Sequence, residues 1–171
     1  MKKIIIIISI LILFTFIKKE DYYVIPNDAI RLRIIANSNN TYDQYIKNKV
    51  KQGIEEEIEN ILKPNTIEKS RILIKENINQ IEEKIKKILE EENYKEDFNI
   101  EYGNNYFPEK EYKNVKYEAG EYESLVITLG NGEGDNWWCV LFPPICSFEE
   151  NNDNNIEYSF YIKEIFNKYI K

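Results

Sequence analysis

Residues Leu125–Cys146 read Leu-Val-Ile-Thr-Leu-Gly-Asn-Gly-Glu-Gly-Asp-Asn-Trp-Trp-Cys-Val-Leu-Phe-Pro-Pro-Ile-Cys, and they hold half of the six glycines together with both tryptophans and both cysteines. Leu125 to Leu129 is a β-branched run, Gly130 to Asn136 a turn, and Trp137 to Phe142 a bulky aromatic strand, an order that predicts a β-hairpin. Pro143-Pro144 ends the second strand, because two successive residues without an N–H cannot continue a ladder. The spacing Gly130, Gly132, Gly134 also offers backbone N–H groups to an anion. Against a phosphate site stand the absence of a following Gly-Lys-Ser/Thr, the strand where a helix N-terminus is required, and the repulsion of Glu133 and Asp135. Adjacent Trp137 and Trp138 point to opposite faces of a strand. One can enter the core, and the other is exposed, covered by the C-terminal helix or used for binding, with core packing on both faces as the competing reading.

Working outward, Ala29 to Ala36 alternates Ile30, Leu32 and Ile34 with Arg31 and Arg33, the period of a half-buried strand with one apolar and one cationic face. Asn37 to Asn40 is turn chemistry, and Thr41 with Gln44 reads as a capping box for the next helix. That helix places Tyr42, Tyr45, Ile46, Val50, Ile54, Ile58, Ile61 and Leu62 on one stripe until Pro64, with Gly53 as a mild weakness. A second helix runs from Asn65 or Thr66 to about Glu92, with a break expected near Asn77. Phe98, Ile100 and Tyr102 return to period two before Pro108, and short strands follow near Tyr112 to Tyr117 and from Tyr122. After the acidic stretch Glu149 to Asn155, Phe160, Ile162, Ile165, Phe166, Tyr169 and Ile170 imply a closing amphipathic helix. The expected class is α+β, an antiparallel sheet packed by two or three helices.

The chain's 171 residues, 43% hydrophobic and 13% aromatic, suffice for one domain with a real core and exclude wholesale disorder. Lys2-Lys3 precede the apolar run Ile4 to Ile17, and Lys18-Lys19-Glu20-Asp21 follow. Such a helix is about 21 Å long, short of the roughly 30 Å hydrocarbon core. Residues 1–20 therefore read as a signal peptide or, since no small-x-small cleavage site follows, an uncleaved signal anchor, and either implies export across the cytoplasmic membrane. Of 23 basic and 30 acidic residues, Lys2, Lys3, Lys18, Lys19 and Glu20 lie in this leader, leaving the exported part with a net charge of about −10. That balance disfavours nucleic acid and anionic lipid as partners, so membrane attachment falls to the leader.

The chain has no histidine, which removes Ser-His-Asp and Cys-His catalysis and every histidine metal site. Carboxylate chemistry remains open: an exported cell-wall hydrolase with Glu133 and Asp135 as its acids is the alternative function. Two thiols are too few for structural zinc, and Cys139 and Cys146 lack the Cys-x-x-Cys spacing of a redox enzyme. In an exported domain they favour a disulfide over two reduced, buried cysteines. No metal and no cofactor is expected.

Three segments carry a resemblance. Ile25-Pro-Asn-Asp-Ala-Ile-Arg-Leu-Arg-Ile-Ile-Ala-Asn-Ser38 with Asp43-Gln44, then Ala119-Gly-Glu-Tyr122, then Leu129 to Cys146 stand in the order seen in the stage II sporulation protein R family of endospore-forming bacteria, which the chain resembles. The resemblance implies a signalling protein without catalytic residues. Members are made in the forespore and exported to the space between the two membranes of the sporulating cell, where they trigger a membrane-embedded aspartic protease, stage II sporulation protein GA, that matures pro-sigma-E in the mother cell. The expected organisation is a leader at 1–20, an α+β domain at 21–148, and at 149–171 an acidic link and helix packing on that domain. Arg31, Arg33, Asn37, Ser38, Asp43, Gln44, Trp137, Trp138, Pro143 and Pro144 are the candidate partner-binding residues, because they join the family's hallmark segments with residue types that interfaces concentrate.

Overall fold

A computed structural model describes residues 23–61, 66–112, 115–146 and 155–169. The leader, Pro64, the acidic stretch before Asn155 and Ile170 lie outside these residues. The elements are β1 (Tyr23–Val24), β2 (Ile30–Ile35), α1 (Thr41–Ile61), α2 (Ile67–Glu91), β3 (Phe98–Phe107), β4 (Lys110–Tyr112), β5 (Val115–Tyr117), β6 (Gly120–Leu129), β7 (Asn136–Phe142) and α3 (Asn155–Tyr169). The class is α+β, as expected. Among the described residues no helix is long and apolar enough to cross a membrane.

The main sheet has the order β3-β6-β2-β7, and this corrects the hairpin. β6 and β7 are not neighbours: β2 lies between them, parallel to β6 with Leu32 opposite Leu125, and antiparallel to β7 with Leu32 opposite Cys139. The sheet is therefore mixed rather than purely antiparallel. The physical reason is the length of the Gly130 to Asn136 connection, which exceeds a tight hairpin turn and can step across one strand. β3 closes the other side, paired antiparallel with β6 from Phe98–Leu129 to Phe107–Gly120. A second sheet of order β1-β5-β4 lies apart from the first.

Side-chain alternation builds a core on each face of the main sheet. On one face Ile30, Leu32 and Ile34 of β2, Leu125, Ile127 and Leu129 of β6, and Cys139 and Leu141 of β7 meet Ile46, Val50, Ile54 and Ile58 of α1 and Ile74, Ile81, Ile85 and Leu89 of α2. On the other, Phe107, Tyr122, Val126, Trp138 and Val140 meet Val115 and Tyr117 of the small sheet and Ile162 and Phe166 of α3. Ile162 and Phe166 thus bring the closing helix onto this face of the sheet.

Several local expectations are revised. Tyr42 and Tyr45 are exposed rather than core, their hydroxyls donating to the backbone oxygen and the carboxylate of Glu92. A Cβ on Gly53 would collide with Ile88 of α2, so this glycine marks the contact between the two helices. α2 passes Asn77 unbroken, because that side chain donates to the Leu73 carbonyl four residues back. Its N-cap is Thr66, whose hydroxyl accepts the Lys69 N–H.

Candidate functional site

The turn after β2 and the turn before β7 are locked together. The Asn37 side-chain oxygen accepts the Asn131 N–H at 2.8 Å, the Asn37 carbonyl the Glu133 N–H at 3.0 Å, the Ala36 carbonyl the Gly134 N–H at 2.8 Å, and the Asn39 side chain the Asp135 N–H at 2.6 Å. The glycine N–H groups a phosphate would need are likewise spent inside the protein, with Gly130 donating to the Asp97 carbonyl at 2.7 Å and Gly132 to the Leu129 carbonyl at 3.1 Å. The glycines are there for close approach as much as for turning: Gly130 and Gly132 have φ of 54° and 68°, and a Cβ on Gly130 or Gly134 would collide with Asn37 or with the Ser38 carbonyl.

Asp43 is the hub beneath this lock. Buried, it accepts from the Asn37 amide at 3.0 Å, the Ser38 hydroxyl at 2.6 Å and the Asn40 amide at 2.9 Å. Its own N–H donates to the Asn40 side-chain oxygen at 2.7 Å, so the cap of α1 is Asn40 rather than Thr41, with Asp43 at the third helical position. Gln44, expected in the capping box, instead donates to the Ser38 carbonyl at 2.9 Å. It also accepts from the Lys47 ammonium, which reaches on to the Asp135 carbonyl at 3.1 Å. Burial pulls the Lys47 pKa down, and Asp135 opposes that shift. Lys47 was missed by sequence reasoning, being one lysine in a lysine-rich helix.

The cationic face of β2 is not solvated. Arg31 is 0% exposed, its guanidinium carbon 3.3 Å from the Tyr122 ring centroid, 5.6 Å from that of Tyr117 and 5.7 Å from that of Phe107. Burial lowers its pKa, with the tyrosines opposing. Arg33 is half-buried over Phe107 at 5.0 Å and donates to the Tyr106 carbonyl at 3.3 Å. Both arginines of the cationic face thus stack on aromatic rings. Tyr122 belongs to the Ala119 to Tyr122 segment, but nothing in the chain places it beside Arg31 before the strand order is known.

The tryptophans do face opposite ways. Trp138 is 5% exposed and meets Phe107 and Tyr117 edge-on at 5.1 and 5.6 Å. Trp137 is half-buried against the helical core, with the Lys51 ammonium 5.1 Å from its ring. β7 ends at Phe142, before a cis bond to buried Pro143 and half-buried Pro144. Cys139 and Cys146 form a disulfide with Cα atoms 5.4 Å apart. Replacing both by serine should lower the unfolding free energy by about 2 kcal/mol, the entropic contribution of so short a loop. Denaturant unfolding measures this; a loss within about 0.5 kcal/mol of zero would show that the bond does not constrain the loop.

Glu133 and Asp135, the acids of the hydrolase alternative, are exposed on the turn. The conspicuous carboxylate is Glu123 of β6, which receives two hydrogen bonds at 3.0 Å and one at 2.8 Å from Arg71 of α2 and one at 2.5 Å from the Tyr102 hydroxyl. Burial alone raises its pKa, but the bonds from Arg71 and Tyr102 outweigh that and hold it below the usual carboxylate range. A depressed folded-state pKa stabilises the fold above the unfolded value of about 4.3, and that stabilisation is lost as pH falls through the folded value. Glu123→Gln should therefore lower Tm near neutral pH and flatten its fall in acid, checked by Tm measurements from about pH 3 to about pH 7. An acid limb of unchanged slope would remove Glu123 from this role.

Fold and site together define a small α+β domain whose most distinctive residues fasten two turns and line an aromatic interior. The chain belongs to the stage II sporulation protein R family: the family model Stage II sporulation protein R (spore_II_R) matches residues 26–152. It is 42% identical over 135 residues to stage II sporulation protein R of Bacillus subtilis (strain 168), an alignment covering 78% of this chain and 60% of that relative. The chain thus spans less than two thirds of the relative's length. No solved structure matches it.

Proposed function

We propose that this protein is the exported sporulation signal of its family, made in the forespore and acting from the space between the two membranes. There it activates the membrane-embedded aspartic protease, stage II sporulation protein GA, so that pro-sigma-E is processed to active sigma-E in the mother cell. Family membership carries this reading. The Cys139–Cys146 disulfide suits an oxidising compartment, and the acidic balance of the exported part argues for a protein partner over nucleic acid.

Within the candidate residues, Trp137 and Pro144 keep partly exposed surface, while Asn37, Ser38, Asp43 and Gln44 are committed to the lock and Arg31, Trp138 and Pro143 are buried. The first two form the contact surface in this proposal, on the helix-covered face and at the end of β7; the others hold them in place. The test is co-expression of the chain with the protease and pro-sigma-E in a host that does not sporulate. Processing of the precursor only when all three are present is expected, and an unprocessed precursor with all three proteins made would refute the reading. Export is checked separately: Met1 to Asp21 fused to a reporter active only outside the cytoplasm should give signal. A silent but expressed fusion would place the protein elsewhere.

A further inference from the structure

The two outer edges of the main sheet are built differently. β7 stops at Pro143-Pro144, and the chain folds back so that the Ile145 N–H donates to the Val140 carbonyl at 3.2 Å. β3 runs for ten residues in unbroken register against β6, and among the described residues it pairs with no other strand. The Gly130 N–H donates to the Asp97 carbonyl, which makes these two a bonded pair just before the strand. The alternation of an antiparallel ladder then turns the N–H and C=O groups of Phe98, Ile100, Tyr102 and Asn104 outward, away from β6. Edges this long are ordinarily blunted by lysine, proline or a bulge. β3 has none of the three.

Gly103 sits in the middle of this edge. Its φ is not in the left-handed region, and a Cβ added to it would meet nothing within 4 Å. Nothing in this chain requires glycine there, although glycine weakens a strand interior; such a glycine marks a backbone that another chain approaches closely. The neighbouring side chains define what approaches. On one face Phe98, Ile100 and Tyr102 are half-buried against the helical core and leave an apolar border. On the other, Asn99 and Glu101 are exposed, with exposed Glu96 and Asp97 before the strand, Lys95 beyond them, and exposed Glu121 opposite Tyr106. The cations of α2 above the strand, Arg71 and Lys75, lie on the helix-covered face and answer Glu123. A second copy of β3 laid on this edge would bring two acidic rims together.

We infer that the open edge of β3 accepts an extended segment of another protein as a fifth strand of the main sheet. The segment alternates apolar residues, laid beside Phe98, Ile100 and Tyr102, with lysine or arginine, laid beside Asn99 and Glu101. Main-chain hydrogen bonds to the outward groups give affinity, and the alternation fixes which face the segment presents. The inference goes beyond the signalling role and does not rest on it, because it uses only the strand edge, its glycine and its charge.

The full chain, labelled with 15N in a neutral detergent, is first read by amide hydrogen exchange. The N–H groups of Phe98, Ile100, Tyr102 and Asn104 should exchange fast, and those of Asn99, Glu101, Gly103 and Asn105, bonded to β6, slowly. Three N-acetylated, amidated hexapeptides are then titrated at matched ionic strength: one alternating lysine with valine, its glutamate-for-lysine counterpart, and the lysine peptide N-methylated throughout, which keeps the charge but has no N–H to give. The lysine peptide should shift the β3 resonances saturably and slow the fast set by roughly tenfold at saturation, and neither control should. Gly103→Val has room in the free chain, so its Tm should not fall, yet its affinity for the lysine peptide should drop by roughly tenfold. Asn104→Pro removes one outward N–H and leaves the β6 ladder intact, so it should weaken binding similarly. If either variant does not fold, the wild-type titration decides alone. A fast set already protected in the free chain, exchange unmoved by the lysine peptide, an equal effect of either control, or a folded Gly103→Val that binds like the parent overturns the inference. Protection that grows with protein concentration alone puts a second copy on the edge and overturns it as well.

Discussion

Asp43→Ala should lower the unfolding free energy by about 3 kcal/mol, far more than its place in a polar turn suggests. The carboxylate is buried and accepts from three different side chains. Its removal strands the Asn37, Ser38 and Asn40 donors together and loosens the cap of α1. Because Asn37 also fastens the turn at Asn131 and Glu133, the loss spreads to the Gly130 to Asn136 connection. Asp43→Asn retains one acceptor oxygen and the side chain's shape, so it should cost roughly half as much. Urea unfolding of both variants measures this. A loss for Asp43→Ala within about 0.5 kcal/mol of zero would show that the two turns hold their geometry without it.

The two tryptophans should separate folding from function. Trp138→Ala removes the ring between Phe107 and Tyr117 and should cost about 3 to 5 kcal/mol, the range for deleting a buried aromatic side chain. Trp137→Ala opens less buried surface, with an expected cost of about 1 to 2 kcal/mol. Its larger effect should fall on protease activation, reduced by roughly tenfold or more if Trp137 anchors the partner. Thermal unfolding and precursor processing, read on the same two variants, decide between the outcomes. A folded Trp137→Ala protein at wild-type activity would return that residue to a packing role.

How far the fold was legible depends on whether a feature is local. The opposite facing of Trp137 and Trp138, the strand end at Pro143-Pro144, and the alternation of Ile30, Leu32 and Ile34 follow from backbone geometry and survive intact. Strand partnership does not follow from periodicity. Leu125 to Leu129 and Trp137 to Phe142 look like a hairpin because sequence neighbours usually pair, yet β2 is inserted between them. The length of the glycine-rich connection was the one signal against a tight turn.

The candidate site was legible in membership but not in role. Asn37, Ser38, Asp43 and Gln44 do come together, yet their hydrogen bonds run mostly to one another and to the far turn. Arg31 looked solvated because charge in an alternating strand usually is. The rings that enclose it come from Phe107, Tyr117 and Tyr122, on strands far along the chain. The Arg71–Glu123 pair was hidden for the same reason, since each residue sits among ordinary charged neighbours until α2 lies over β6.

An exported signal must act from outside the membrane, and that requirement gives the most direct measurement. In the co-expression host, pro-sigma-E processing is compared for the full chain and for a chain starting at Asp21, which retains every described residue but lacks the leader. The account predicts processing with the full chain, none with the leaderless chain held in the cytoplasm, and recovery when an unrelated export signal replaces residues 1–20. Equal processing by the cytoplasmic form, or none by either exported form, would contradict it.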